Sequence, residues 1–168
     1  LRNMQRGYTQ EKYMEKLNLA KETITDVSLT TDIIVGFPGE TDKDFEETLK
    51  VIREGKFDAV YMFKFSPRPG TKANYMEDDF VEKAIIDSRF MELKHLQTEI
   101  SHQRYKRFIG THQDLLVEKD SKKTDEFLSG KIDGGQTTHI SSEHVEIGDF
   151  IKVKITDATP FALTAVLV

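Results

Sequence analysis

Thr30-Thr31-Asp32-Ile33-Ile34-Val35-Gly36-Phe37-Pro38-Gly39-Glu40-Thr41 is the stretch on which the fold turns. Its first half is crowded with β-branched residues and its second half breaks at Gly-Phe-Pro-Gly, so residues 27–36 read as a buried strand ending in a tight turn. Thr41-Asp42-Lys43-Asp44 then has the form of a capping box, and Phe45, Leu49 and Ile52 follow at the spacing of one helix face, which ends near Gly55. Downstream, residues 59–65 form a second strand. Ser66-Pro67-Arg68-Pro69-Gly70-Thr71 leaves it as a loop, because two prolines remove ladder donors. Strand, helix, strand predicts a parallel βαβ unit. Upstream, Thr9 can cap a helix over 10–22 with Tyr13, Leu17 and Ala20 on one face.

Further from this centre the periodicity changes twice. From about Asp79 a helical pattern carries Val81, Ile85, Phe90, Leu93, Leu96 and Ile100, with no Gly or Pro before Gly110, and it should bridge two domains. Beyond Gly110 come short strand patterns at 112–119, 127–133, 136–141, 150–157 and 162–168, with Asp133-Gly134-Gly135 as a hairpin turn. Five short strands in so little chain predict a small OB-like β-barrel. The fold class is therefore α/β plus all-β, with domains at 1–107 and 108–168.

Composition sets limits on function. At 38% hydrophobic and 32% charged, the 168 residues are ordinary globular material. No apolar run approaches the roughly 18 to 20 residues of a membrane span, so a cytoplasmic location without membrane association is expected. The chain opens on Leu1 and reads as a piece of a longer polypeptide. With no cysteine it cannot supply thiolates to zinc or to an iron-sulfur cluster. A net charge of -5 argues against coating nucleic acid by charge alone, and residues 108–168 hold 6 Lys against 10 Asp or Glu, or -4.

Two readings of the strand exits stand: Gly-Phe-Pro-Gly as a tight turn alone, or a ligand site, since α/β folds bind ligands at the carboxyl ends of parallel strands, where glycine and free helix amides permit close approach. The first exit lacks the Lys-Ser/Thr of a phosphate loop and has Glu40-Thr41 instead. The second carries Arg68 at its tip, suited to planar contact with a carboxylate, phosphate or base. Tyr61, Phe63 and Phe65 alternate on one strand face and read as packing rather than a base-stacking platform. His95 and His102 share a helix face but lie about 10 Å apart, too far for one metal. Lys119, Lys122, Lys123 and Lys131 form the barrel's basic cluster, consistent with phosphate contact.

The run 30–41 with Asp44-Phe45-Glu46-Glu47-Thr48-Leu49, then Phe65-Ser66-Pro67-Arg68-Pro69-Gly70-Thr71, resembles the late half of the radical S-adenosylmethionine barrel of methylthiotransferases. Arg6-Gly7-Tyr8-Thr9 matches the same family. Leu116-Val117-Glu118, Ser121-Lys122-Lys123, Leu128-Ser129-Gly130 and Val153-Lys154-Ile155-Thr156-Asp157-Ala158 resemble its TRAM module, a small barrel associated with RNA binding. Within the family the motifs are similar to the MiaB-type tRNA branch; the alternatives are the ribosomal-protein (RimO-like) branch and a non-catalytic RNA-binding module. Two features depart from the family pattern: the Cys-x-x-x-Cys-x-x-Cys motif is absent, and Gly134-Gly135-Gln136-Thr137-Thr138 stands where a more basic stretch is expected.

The resemblance implies the C-terminal part of a partial TIM-like barrel followed by a TRAM barrel. It implies an S-adenosylmethionine pocket lined by Ile34, Gly36, Phe37, Pro38 and Glu40, with Phe65 and Ser66 near the adenine. Arg6 is a candidate for cofactor contact and Arg68 for substrate contact. In the whole enzyme it implies two [4Fe-4S] clusters, one cleaving S-adenosylmethionine reductively and one delivering methylated sulfur to C2 of an N6-modified adenosine in the tRNA anticodon stem-loop. None of the cluster ligands comes from these residues, so the fragment alone is expected to be inactive. Its partly completed barrel is expected to self-associate through an apolar strand.

Overall fold

The computed structural model describes residues 1–120, 127–141 and 143–168. The chain divides into two compact units, Leu1–Gln97 and Thr98–Val168.

In the first unit α1 (Gln10–Thr23) precedes β1 (Thr30–Val35), α2 (Asp42–Gly55) and β2 (Ala59–Lys64), and two short 3-10 turns, Lys72–Tyr75 and Glu77–Asp79, lead to α3 (Lys83–Tyr105). Thr9 caps α1 by accepting from the Lys12 amide. At the start of α2, Thr41 Oγ1 accepts from the Asp44 amide at 3.2 Å while Asp44 Oδ2 accepts from the Thr41 amide at 2.9 Å, the reciprocal box that the sequence predicts. β1 and β2 pair in parallel, with Thr31 beside Val60, Ile33 beside Met62 and Ile34 beside Phe63. Buried Asp58 fixes that register, taking the Leu29 amide on its carboxylate at 2.9 Å and donating its own amide to the Leu29 carbonyl at 2.8 Å.

The two faces of this sheet differ. Thr31, Ile33 and Val35 turn toward the helices: the Tyr13 hydroxyl of α1 donates to Thr31 Oγ1 at 2.8 Å, and Val35 is buried, as are Phe45, Leu49, Ile52 and Phe57. The other face carries Asp32, Ile34, Tyr61 and Phe63, and it is open, with Tyr61 58% and Phe63 52% exposed. The sequence expectation that Tyr61 and Phe63 are packing residues does not hold here. Alternation puts them on the face that no helix of this unit covers. Phe65, just past the strand end, does pack, edge-on to Phe37 and Phe80 with ring centres 5.5 and 5.6 Å away.

The second unit begins with the end of α3 and the 3-10 turn Lys106–Phe108, followed by β3 (His112–Asp120), β4 (Phe127–Ile132), β5 (Thr137–Ser141), β6 (Phe150–Ala158) and β7 (Leu163–Leu167). These close a five-stranded barrel in the order β3-β4-β5-β7-β6, with β5 and β7 parallel and the other pairs antiparallel. Inward side chains, among them Leu115, Val117, Ile132, Ile140, Val153, Ile155 and Leu163, join Tyr105 and Phe108 in one core. Gly130 is required: a Cβ there would collide with the Leu116 carbonyl oxygen of the facing strand. At the tip between β4 and β5, Gly135 (φ 81°) donates to the Ile132 carbonyl at 2.8 Å, which makes the hairpin turn expected from Asp-Gly-Gly.

Candidate functional site

The turn that follows β1 is held from both sides. Glu40 donates its amide to the Phe37 carbonyl at 2.9 Å, and Gly39 donates to the Asp79 carbonyl at 2.8 Å. The Phe65 amide reaches back to the Val35 carbonyl at 2.8 Å, so the exits of both strands are locked together. Gly36 sits at φ 75° with Ile86 of α3 directly against it, and a Cβ would strike that side chain. Glycine is therefore demanded here by helix packing as well as by the left-handed backbone.

Beneath the turn lies a charged network that sequence reasoning did not find. Arg89 of α3, only 8% exposed at its side chain, donates from Nη1 to Glu40 Oε1 at 2.8 Å and to the Glu40 carbonyl at 3.1 Å, and from Nη2 to Asp42 Oδ1 at 2.6 Å. Glu40 Oε1 also accepts the Gly36 amide at 3.1 Å. The Arg89 guanidinium lies 5.6 Å from the centre of the Phe45 ring. Burial raises the Glu40 carboxyl above the ordinary glutamate value, against the bonds from Gly36 and Arg89 that favour its charge. Burial also opposes the Arg89 charge, but the hydrogen bonds to Asp42 and Glu40 outweigh it and raise its pKa. The guanidinium has two carboxylate partners while the buried carboxylate has half of a shared cation, which is why the two shifts differ in origin. A charge at 89, on the stripe with Ile86 and Leu93, was the available signal, since a polar residue among buried positions is the informative exception.

Of the residues expected around S-adenosylmethionine, the structure brings Gly36, Phe37, Glu40 and Phe65 together at the strand exits. An open cavity of about 340 Å³ lies there, bordered by Gly36, Phe65, Phe80 and Ile86, with Lys64 and Asp87 bridged at 2.6 Å on its rim. Pro38 is buried and Glu40 is committed to the turn. Ile34 lies on the opposite, open face of the sheet, beside Phe63. Ser66, Arg68 and Arg6 are exposed; the Arg68 carbonyl closes its loop by accepting from the Thr71 amide at 3.2 Å and hydroxyl at 2.8 Å. In the barrel, Lys119 is exposed on β3 and Lys131 on β4 donates to Thr137 Oγ1 at 2.8 Å, whereas Lys122 and Lys123 lie outside the described residues.

The donor set separates the two cofactors that the resemblance implies. The rings of Phe65 and Phe80, edge-on to each other at the cavity, offer the apolar contact that a purine takes. An iron-sulfur cluster does not fit these residues: the chain has no cysteine, and among the described residues no three His, Asp or Glu gather as metal ligands.

β1 and most of α2, and the five-stranded barrel that follows in sequence, fall in the stretches matched by two known domain types. Residues 1–52 match the Radical SAM superfamily and residues 106–168 match the TRAM domain. Across nearly its whole length it is similar to proteins named tRNA-2-methylthio-N(6)-dimethylallyladenosine synthase. Identity is 42% with that of Corynebacterium jeikeium (strain K411), over 98% of this chain and 33% of the relative. It is 42% with that of Geobacillus kaustophilus (strain HTA426), over 100% and 32%, and 36% with that of Finegoldia magna (strain ATCC 29328 / DSM 20472 / WAL 2508), over 100% and 36%. The chain thus spans about a third of the length of the curated relatives it matches. These matches bear out the resemblance read from the residues. Among the described residues no helix is long and apolar enough to cross a membrane.

Proposed function

We propose that this chain is the C-terminal portion of a radical S-adenosylmethionine enzyme that methylthiolates C2 of an N6-dimethylallyl adenosine beside the tRNA anticodon. The observation that carries this reading is the match, end to end and in one order, to synthases whose names state that product. The paired domain matches support the division of labour, a barrel segment for the radical chemistry and a TRAM module for RNA.

In this reading Phe37, Phe65 and Ser66 border the adenosine of S-adenosylmethionine, and Ile34 meets it from the open face of the sheet. Glu40 acts on the backbone: with Arg89 it fixes the amide direction at Gly36 and so the shape of the turn. S-adenosylmethionine, when bound, would supply a methyl group from its intact sulfonium and, on one-electron reduction, the capacity to abstract hydrogen. The residues described here bind and orient, while both clusters are assigned to the cysteines of the rest of the enzyme. Arg6 and Arg68 are offered to the carboxylate of the cofactor and to the RNA, and Lys119, Lys122, Lys123 and Lys131 to phosphates.

The test is anaerobic assay of the full-length protein, with iron, sulfide, a reductant and S-adenosylmethionine, on an anticodon stem-loop containing N6-dimethylallyladenosine and, separately, on ribosomal protein. Mass spectrometry should find the methylthio group on the RNA alone. Modification of the protein substrate would transfer the reading to the RimO-like branch. Binding without any modification would leave an RNA-binding module.

A further inference from the structure

The TRAM barrel carries an aromatic residue on its outer wall that its own folding does not use. Phe150 opens β6 and is 69% exposed, while its neighbour Ile151 packs against the core and Val153 is fully buried. Antiparallel register sets Phe150 directly opposite Leu116 of β3, and Leu116 opposite Lys131 of β4. Directly opposed residues share a face, so these three side chains form one row across three strands. Leu116 is also exposed.

On one side of it the next two rows each carry a lysine, and on the other side the exposed neighbour of Leu116 along β3 is Glu118. Two residues along β6, Lys152 lies opposite Asp114 and is bonded to it at 2.9 Å; two further on, Lys154 lies opposite His112. The three rows thus hold three lysines and one carboxylate, a locally positive strip on a module whose formal charge is -4. Lys131 is steadied by its bond to Thr137 and keeps two further N–H donors. An exposed aromatic ring on a strand, flanked by cations at strand spacing, is how proteins hold single-stranded nucleic acid: the ring stacks on a base and the cations meet the backbone. A duplex offers no free base face to such a ring, so the fit is to an unpaired nucleotide.

We propose that Phe150 is a base-stacking residue for an unpaired RNA nucleotide, with Leu116 widening the apolar platform and Lys131, Lys152 and Lys154 facing the phosphates. This rests on the reading of the TRAM domain as the RNA-binding part. It moves the contact away from the 119–131 edge alone and onto the β6-β3-β4 wall.

The chain contains no tryptophan, so Phe150→Trp installs a single fluorophore at an exposed position without disturbing the core. The 168-residue variant is titrated at low salt with a single-stranded RNA oligonucleotide and with the same strand annealed to its complement. Its emission should be quenched by the single strand and not by the duplex. Phe161→Trp, at an equally exposed site between β6 and β7, should stay unquenched at the same saturation. By anisotropy, Phe150→Ala should weaken binding about 5- to 150-fold, the value of one stacked base, and Phe150→Tyr should retain it. No RNA binding, preference for duplex, binding without quenching at 150, or unchanged affinity in Phe150→Ala would each overturn the proposal. Quenching at 150 in a protein whose full-length form does not methylthiolate RNA would leave this inference standing while the enzymatic reading fell.

Discussion

Arg89 and Glu40 decide the shape of the strand exit. Asp42 adds little, because its carboxylate is 99% exposed and solvent screens the 2.6 Å bridge. The Glu40 bond is different: both groups are largely buried, and removing one strands the other. Arg89→Ala should therefore cost about 3 to 5 kcal/mol in urea unfolding of the chain. Adding Glu40→Gln should recover part of that loss, since no buried carboxylate is left without its cation. A double variant no more stable than Arg89→Ala would remove the network from the account. pH adds a second reading of the same pair. The folded Glu40 carboxyl has a raised pKa, so the folded chain holds that proton more tightly than the unfolded chain. Its contribution is fully present below the unfolded value and is lost as pH rises through the raised folded value. The stability of the natural chain relative to Glu40→Gln should fall across that window, and a flat difference would contradict the shift.

At the scale of elements, the open face of the β1-β2 sheet is the feature with consequences. Ile34, Tyr61 and Phe63 present apolar surface, and among the described residues each strand has one unpaired edge. We expect sedimentation velocity to show concentration-dependent association of the 168-residue chain, abolished by Ile34→Lys with Tyr61→Lys. A monomer at every concentration would refute this. Much of the element order was legible beforehand, because capping boxes, β-branched runs and Gly-Gly turns act locally: α2 starts at its Thr41 box and the barrel strands begin and end close to their turn residues. What was not legible depends on tertiary neighbours. α2 does end at Gly55, but the left-handed position falls on Lys56 at φ 47°, and Gly55 is kept small by the Phe57 ring. Ile85 read as part of the apolar stripe of α3 and is exposed; Leu93 is buried as expected, but its inward neighbours are Ile86, Arg89 and Gln97, with Gln97 donating to the Phe57 carbonyl at 2.9 Å. A sequence period cannot distinguish adjacent stripes when polar residues occupy the buried one.

For the molecule as a whole, composition and architecture assign different tasks to its parts. The radical SAM segment contributes a turn and an aromatic flank but no cluster ligand, and the TRAM barrel contributes an exposed wall of mixed aromatic and basic character on an acidic background. The candidate site was legible only as far as a family pattern names positions: Gly36, Phe37 and Phe65 do meet at the strand exits, whereas the burial of Arg89 and the exposure of Phe150 depend on which side chains are covered and which strands are neighbours. The methylthiolation proposed above belongs to the complete protein. It is tested most directly by nucleoside mass spectrometry of bulk tRNA from cells lacking the full-length gene. Loss of the 2-methylthio nucleoside with accumulation of N6-dimethylallyladenosine is expected, restored by the full-length gene and not by one lacking the segment that encodes residues 1–168. An unchanged 2-methylthio content in the deleted strain would contradict it.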